Sequence, residues 1–212
     1  MTQPTPSQPI ALYGFKLSGH SHRAEVMLRL LQLPYEFREV NLRGGEQKSA
    51  AFLKLNPFGT VPVIDDGGTV IADSVAILVY LATAYDPARR WLPVEAKQAA
   101  QVQRWLSVAQ GPVYNGPAMA RMVKLFGVAA DYERCKAIAG TLFSVLENHL
   151  AARDFLVGDG PTIGDIALYS YIAVSADGGL SLADYGAIRA WSARLEALPH
   201  FEPMPVSPHH AA

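Results

Sequence analysis

Hydrophobic and polar residues follow two different spacings along this chain. Residues 35–40 alternate between apolar and charged side chains, which is typical of a strand with one solvated face. Apolar residues at helical spacing follow the strand-like runs and stop at prolines or glycines. The predicted elements are a strand at 10–15, a helix at 23–33, a strand at 35–40, a helix at 46–55, hairpin strands at 61–64 and 69–71, and a helix at 73–85.

Beyond residue 95 only helical spacing remains. Ile138, Leu142 and Leu146 are examples from one apolar face. The predicted helices cover residues 95–126 with a break at Gly111-Pro112 or Gly116-Pro117, then 131–153, 162–175 and 183–198. The fold class is therefore α/β plus all-α, a βαβαββα domain at 10–85 and a helical domain at 95–200. Residues 86–94 form a proline-bounded linker, and residues 1–9 and 201–212 are predicted to be loose termini.

Composition narrows the classes of function. Half of the 212 residues are hydrophobic and 17% are charged, so the chain can bury a substantial core. A net charge of −1 gives no electrostatic reason to expect nucleic acid or an anionic membrane as partner. The single cysteine, Cys135, excludes a disulfide framework and a thiolate zinc site. No apolar run reaches the ~20 residues of a membrane span, and residues 1–9 lack the apolar segment of a signal peptide, so we expect a cytoplasmic protein without a metal.

The motif with the most chemical content lies in residues 56–74. Val61-Pro62 places a proline at the start of a strand and is a candidate cis peptide bond. Asp73 and Ser74 then open a helix, where side-chain oxygens and free backbone N–H groups gather. This arrangement predicts a site for a small peptide-like ligand that carries both an amine and a carboxylate.

The ordered motif resembles the glutathione-binding half of the cytosolic glutathione transferases, and the resemblance extends over residues 10–200. It implies a thioredoxin-like domain followed by a helical domain that carries the acceptor site. It also implies that Thr60, Val61 and Pro62 pair with the cysteinyl backbone of glutathione, and that Asp73 and Ser74 hold its γ-glutamyl end.

Ser18 lies between the first strand and the first helix, where a helix N-terminus would stabilise a thiolate. Taken alone, Ser18 could simply cap a turn. The resemblance to serine-type members of the theta, delta and zeta kinds makes it the first choice for the hydroxyl that donates to the glutathione sulfur, since it stands five residues before Arg23 as in the zeta pattern. Ser21 is the alternative donor or cap.

The two histidines beside these serines have no evident carboxylate partner in the sequence. We expect His20 and His22 to face solvent on a loop rather than to act as a general base or as metal ligands. The first domain contains no cysteine, so the resemblance excludes the mixed-disulfide chemistry of the omega and beta kinds.

The resemblance also suggests contacts for the rest of glutathione and for an acceptor. Gln47 or Lys48 would reach the glycyl carboxylate, although both could equally be an exposed helix start. The residues expected to form the acceptor site, or in part the core, are Tyr13, Tyr114, Asn115, Met119 and Met122, with Phe126 and Arg121 beside them. Thr162 and Asp165 form a capping box that serves folding.

These observations predict a glutathione transferase that uses glutathione as co-substrate against a small hydrophobic electrophile. The Ser-Gly-His-Ser-His run departs from the Ser-Ser-Cys-Ser core of the zeta kind, so maleylacetoacetate isomerase is a weaker alternative. A glutathione-dependent peroxidase and a non-catalytic glutathione- or ligand-binding module remain open. The family forms homodimers, and Phe58, an aromatic residue in a loop, is the expected anchor between subunits.

Overall fold

The computed structural model describes residues 4–207, and its first half is built on a four-stranded sheet. The strands are β1 (Ile10–Gly14), β2 (Tyr35–Glu39), β3 (Val63–Asp66) and β4 (Thr69–Ala72), in the order β2-β1-β3-β4. β1 pairs with β2 in parallel, whereas β3 is antiparallel to both β1 and β4. The helices of this half are α1 (Gly19–Leu30), α2 (Ala50–Leu55) and α3 (Ser74–Tyr85), with a 3₁₀ turn at Glu46–Lys48.

The two faces of this sheet have separate cores because neighbouring strand residues point to opposite sides. Leu12 and Ile64 join the main core with α1 and α3. A smaller cluster on the other face contains Val63 and Phe52 of α2. The sheet therefore lies between α2 on one face and α1 with α3 on the other, as the predicted βαβαββα order requires.

The second half is helical and shares the main core with the first. Its helices are α4 (Ala96–Val108), α5 (Met119–Phe126), α6 (Tyr132–Leu150), α7 (Ile163–Ala173) and α8 (Gly186–Glu196), with a 3₁₀ turn at Ser175–Gly178. α7 is buried along most of its length and contacts α1, α3 and α4. The capping box predicted at its start is present, with Thr162 and Asp165 as its two members.

The predicted break after α4 is wrong. A π-helical segment, Ala109–Ala118, joins α4 directly to α5 and contains both Pro112 and Pro117. Proline removes a backbone donor and crowds the preceding turn, and the wider π winding accommodates this without ending the helix. The segment consequently continues the helix and places Gln110 at the start of α3 and Tyr114 at the start of α1.

The C-terminal segment is not a loose tail over its described residues. Met204 and Ser207 are buried, and the Ser207 N–H donates to Asp177 Oδ2 at 3.3 Å. The Glu202 carbonyl contacts His22 Nε2 at 2.8 Å. Residues 201–207 thus pack onto both halves, and residues 208–212 and 1–3 lie outside the described part of the chain.

Candidate functional site

Strand register gathers the predicted ligand-binding residues at one end of the sheet. Tyr13 pairs with Val63, and Val63 also pairs with Ala72. The chain that enters β3 at Val61-Pro62, the chain that leaves β4 at Asp73 and the chain that leaves β1 toward Ser18 must therefore lie side by side. The Val61-Pro62 peptide bond is cis, which confirms that prediction.

The start of α1 carries both candidate serines, with different roles. Ser18 caps the helix, and its half-buried Oγ accepts from the Ser21 N–H at 3.3 Å. The Ser21 side chain is 1% exposed, and its Oγ accepts from the Phe15 N–H at 3.1 Å. Ser21 therefore holds the turn from within, and we remove it from the predicted ligand contacts, whereas Ser18 remains at the surface of the site.

The start of α3 presents a carboxylate above a buried hydroxyl. Asp73 Oδ1 caps the helix by accepting from the N–H groups of Val75 at 2.9 Å and Ala76 at 3.0 Å. Its Oδ2 accepts from Gln110 Nε2 of the π-helical segment at 2.7 Å, and the side chain stays exposed. Asp73 has a φ of 76°, a conformation that non-glycine residues adopt at a cost and that is common at functional sites.

The segment before the cis bond is held by side chains around it. Asn56 Nδ2 donates to the Thr60 carbonyl at 2.8 Å and to Thr60 Oγ1 at 3.0 Å. Among the described residues, no hydrogen bond occupies the Val61 N–H or carbonyl. The Val61 backbone is therefore available to an extended peptide ligand.

Gln47 and Lys48 lie in the 3₁₀ turn beside this segment. The Lys48 amine donates to the Phe58 carbonyl at 3.0 Å, and its side chain is exposed. Gln47 Nε2 donates to the Leu42 carbonyl at 3.3 Å, while its buried Oε1 has no partner among the described residues. The Lys48 amine therefore contacts the loop three residues before Val61, whereas the Gln47 amide contacts the loop that follows β2.

His20 and His22 do not face solvent on a loop, so that prediction is wrong. Both belong to α1, because the helix begins at Gly19 rather than at Arg23. His22 Nδ1 contacts Ser170 Oγ at 2.9 Å, and burial lowers the pKa of this imidazole to about 4. Burial, with a smaller effect of Arg23, lowers the pKa of His20 to about 3. Both rings are consequently neutral near pH 7.

Arg23 is a buried cation that the sequence pattern did not single out as a site residue. Its side chain is 0% exposed, and Nη1 lies 2.9 Å from His20 Nδ1 and 3.3 Å from Ser74 Oγ. Nε and Nη2 have no partner among the described residues. Burial lowers the Arg23 pKa to about 10, so it stays charged beneath the start of α3.

The π-helical segment forms the opposite wall of the site. The Tyr114 ring lies 5.8 Å from that of His20 and is partly exposed. Asn115 is exposed and donates to the Gly111 carbonyl at 3.0 Å. Met119 and Met122 are half-buried, with Met119 against the main core. Tyr114 and Asn115 belong to the π-helical segment, and Met119 and Met122 belong to α5 directly after it, so their role as an acceptor site stays a prediction.

Tyr13 and Arg121 need correction. The Tyr13 hydroxyl accepts from Arg38 Nη1 at 2.7 Å, and its ring packs with Phe52 on the opposite face of the sheet, so we remove it from the acceptor site. Arg121 does not face water and is not open to an acceptor substrate. It is 2% exposed, donates to Asp177 Oδ2 at 3.0 Å and donates to the Leu17 carbonyl at 2.6 Å.

Within residues 4–207, no helix has both the length and the apolar character that crossing a membrane requires. In the same range, no cluster of three or more His, Cys, Asp or Glu side chains is arranged to hold a metal ion.

Family models and similar proteins of known sequence point to the same family. Residues 17–84 match the model of the glutathione S-transferase N-terminal domain, and residues 113–199 match that of the C-terminal domain. A probable maleylacetoacetate isomerase of Vibrio cholerae is 32% identical over 91% of this chain and 93% of its own length. Glutathione S-transferase theta-1 of Rattus norvegicus is 29% identical over 89% of this chain and 82% of its own.

Solved structures agree with the sequence comparison. A glutathione S-transferase from Pseudomonas fluorescens superposes with a TM-score of 0.87 at 33% identity, covering 93% of this chain and 99% of that one. A glutathione transferase homologue from Drosophila mojavensis, solved with bound glutathione, has a TM-score of 0.81 at 31% identity and covers 90% of this chain and 89% of that one. The order of elements, the site at the end of the sheet and these matches together show that the chain belongs to the glutathione S-transferase family.

Proposed function

We propose that this protein is a glutathione transferase that activates the glutathione thiol for attack on a small hydrophobic electrophile. The observation that carries the proposal is the juxtaposition, at one end of the sheet, of the Asp73-Ser74 helix start, the free Val61 backbone and the Ser18 helix start. Glutathione has an amine and a carboxylate at one end, a peptide backbone in the middle and a thiol beside it. These groups match the three features in order.

The γ-glutamyl end would bind at the start of α3. Asp73 Oδ2 already accepts one N–H donor, Gln110 Nε2, and is exposed, so a ligand ammonium can join it. The α-carboxylate would meet the Ser74 N–H and the positive end of the α3 dipole, with charged Arg23 beneath Ser74. This end of the site therefore complements both charges of the ligand.

The cysteinyl unit would pair with the Val61 backbone, and the glycyl carboxylate would reach Gln47 or Lys48. The sulfur would then lie at the start of α1. Because Ser18 Oγ accepts from the Ser21 N–H, its own hydrogen is available to donate to a thiolate. The thiol proton leaves to solvent, and glutathione itself is the nucleophile, so the protein supplies donors and proximity rather than a covalent intermediate.

The electrophile would approach from the side of the π-helical segment and α5, where Tyr114 is partly exposed and Met119 and Met122 would supply adaptable apolar surface. Turnover requires both substrates to meet above Ser18. The similarity to the Vibrio cholerae relative favours a second candidate, glutathione-dependent isomerisation, in which the sulfur adds to a double bond and leaves again. An assay panel of electrophiles, peroxides, disulfides and maleylacetoacetate separates transferase, peroxidase and isomerase activity.

Calorimetry with glutathione tests the binding site. Asp73→Ala removes both the helix cap and the ligand's counter-charge, whereas Asp73→Asn keeps an oxygen for the cap. We expect both variants to weaken glutathione binding at least about tenfold, since one partner of a desolvated charge pair is lost. Unchanged affinity in Asp73→Asn would reject the γ-glutamyl assignment. Retention on immobilised glutathione without turnover of any substrate would instead favour a non-catalytic binding module.

Ser18→Ala tests the mechanism. We expect a higher pKa for the thiol of bound glutathione and a loss of rate near neutral pH that stays below about 10²-fold, because backbone N–H groups share the charge. Affinity for glutathione should change little. Ser21→Ala is the matched control, since its hydroxyl is buried in the turn. A shift in pH profile caused only by Ser21→Ala would transfer the role to Ser21.

We further propose that the protein works in the cytoplasm as a two-fold homodimer with a detoxifying role. Phe58 supports the dimer, since 84% of its side chain is exposed and it follows the Asn56 turn next to the glutathione site. An exposed aromatic ring of this kind suits an anchor that enters a pocket of a second subunit.

A further inference from the structure

We propose that His20 is a second side-chain donor to the ligand sulfur, held by Arg23 as a neutral imidazole with its proton on Nε2. This inference rests on the proposed function and adds a catalytic residue to it. His20 is the second residue of α1, two positions after Ser18, and so belongs to the same helix start.

The tautomer follows from the chemistry of Arg23. A guanidinium group has only N–H donors and cannot accept a hydrogen bond. Arg23 Nη1 lies 2.9 Å from His20 Nδ1, so Nδ1 must be the acceptor. Ser74 Oγ is also on the Nδ1 side, at 3.1 Å. A neutral imidazole whose Nδ1 accepts carries its proton on Nε2.

Its surroundings keep the ring neutral. Arg23 is charged and fully buried beside it, and a second positive charge there would be repelled. Among the described residues, the ring also contacts the hydroxyl of Ser74 and the rings of Tyr171 and Tyr114, with centroid distances of 5.2 Å and 5.8 Å, and Asp73 lies at the adjacent helix start. Burial of the ring, with a smaller effect of the Arg23 charge, lowers the pKa of His20, so the imidazole stays neutral at neutral and mildly acidic pH.

The position of the free N–H selects the sulfur as its target. Ser74 and Arg23 occupy Nδ1, whereas Nε2 has no hydrogen bond to another described residue and is not among the fully buried atoms, so it can reach a ligand. The Nε2 edge is turned away from Ser74, where the γ-glutamyl carboxylate would lie. Ser18 caps the same helix start two residues before His20, so both side chains belong to one end of α1. An N–H donor there stabilises a thiolate without taking its proton.

Three variants and two ligands test this role. His20→Phe keeps an aromatic ring between Tyr114 and Tyr171 but removes the donor, and His20→Asn restores a donor in a smaller side chain. Thiolate absorbance of bound glutathione is titrated in the wild type, both His20 variants and Ser18→Ala, after circular dichroism has established that each is folded. Binding of S-methylglutathione, which has no ionisable thiol, is measured in parallel.

We expect His20→Phe to raise the pKa of the bound thiol by about one unit and His20→Asn to restore part of this shift. S-methylglutathione affinity should change less than twofold in both. Equal losses of affinity for glutathione and S-methylglutathione, with the thiol pKa unchanged, would overturn the proposal and assign His20 to the carboxylate end. In ¹⁵N-histidine spectra of the free protein, a His20 ring protonated at Nδ1 would also overturn it. A wild type that binds no glutathione would reject the proposed function itself, which is a distinct outcome.

Discussion

Arg121 forms a buried ion pair with Asp177 in the second half of the molecule and also holds the chain just before Ser18. Arg121 is 2% exposed and Asp177 1%, and Arg121 also donates to the Leu17 carbonyl at 2.6 Å. Arg121→Met keeps much of the aliphatic packing and removes the charge. It removes the Arg121 guanidinium from the buried Asp177 carboxylate and removes the donor from the Leu17 carbonyl.

The expected cost of Arg121→Met is about 3–5 kcal/mol, the range found when one partner of a buried pair is removed. This is a large part of the free energy of unfolding of a typical domain, which is about 5–15 kcal/mol. Asp177→Asn should cost a comparable amount, because Arg121 is then the unpaired charge. The double variant should cost less than the sum of the two by about 0.5–3 kcal/mol, since each single change already removes the attraction between the two side chains.

Urea unfolding at one fixed protein concentration measures these free energies. Arg194→Met is the matched control, because Arg194 pairs with Asp154 at the surface, and its loss should cost less than about 1 kcal/mol. Additive costs in the double variant, or a cost of Arg121→Met no larger than that of the control, would refute the reasoning. Folded Arg121→Met should also conjugate more slowly, since the residue before Ser18 is no longer held.

Three further predictions concern assembly, pH and folding. Phe58→Ser should shift the subunit equilibrium toward monomer in analytical ultracentrifugation, and an unchanged dimer would remove Phe58 as the anchor. His20 and His22 have a pKa of 6.5 in the unfolded chain but of about 3 and about 4 in the folded protein, so the unfolded chain binds more protons as the pH is lowered. The free energy of unfolding should therefore decrease as the pH is lowered from about 7 to about 5, and the decrease should be smaller in His22→Gln. Asp165→Ala should cost at least about 3 kcal/mol in urea unfolding, because its carboxylate accepts four hydrogen bonds in the core, whereas a cost below about 1 kcal/mol would contradict this.

Much of the candidate site could be predicted from the sequence because its motifs are local. The proline before β3, the Asp73-Ser74 pair at the start of α3 and Ser18 before α1 each stand at a strand or helix boundary that nearby residues mark. The same local signals misplaced the start of α1 by four residues, from Gly19 to Arg23, and so put two histidines on a loop. Glycine and histidine are weak helix formers, and the first turn is stabilised by the Ser18 cap and by tertiary contacts such as that of His22 with Ser170 of α7.

The sequence by itself determined the order of strands and helices, since periodicity of apolar residues is read within a window of a few turns. Tertiary structure decided which polar residues are buried together. Arg121 meets Leu17 across 104 positions, and His22 meets Glu202 across 180, so no local pattern could reveal either contact. Burial of those groups depends on elements brought together by the shared core of the two halves, and burial in turn sets their charge and their hydrogen-bonding role.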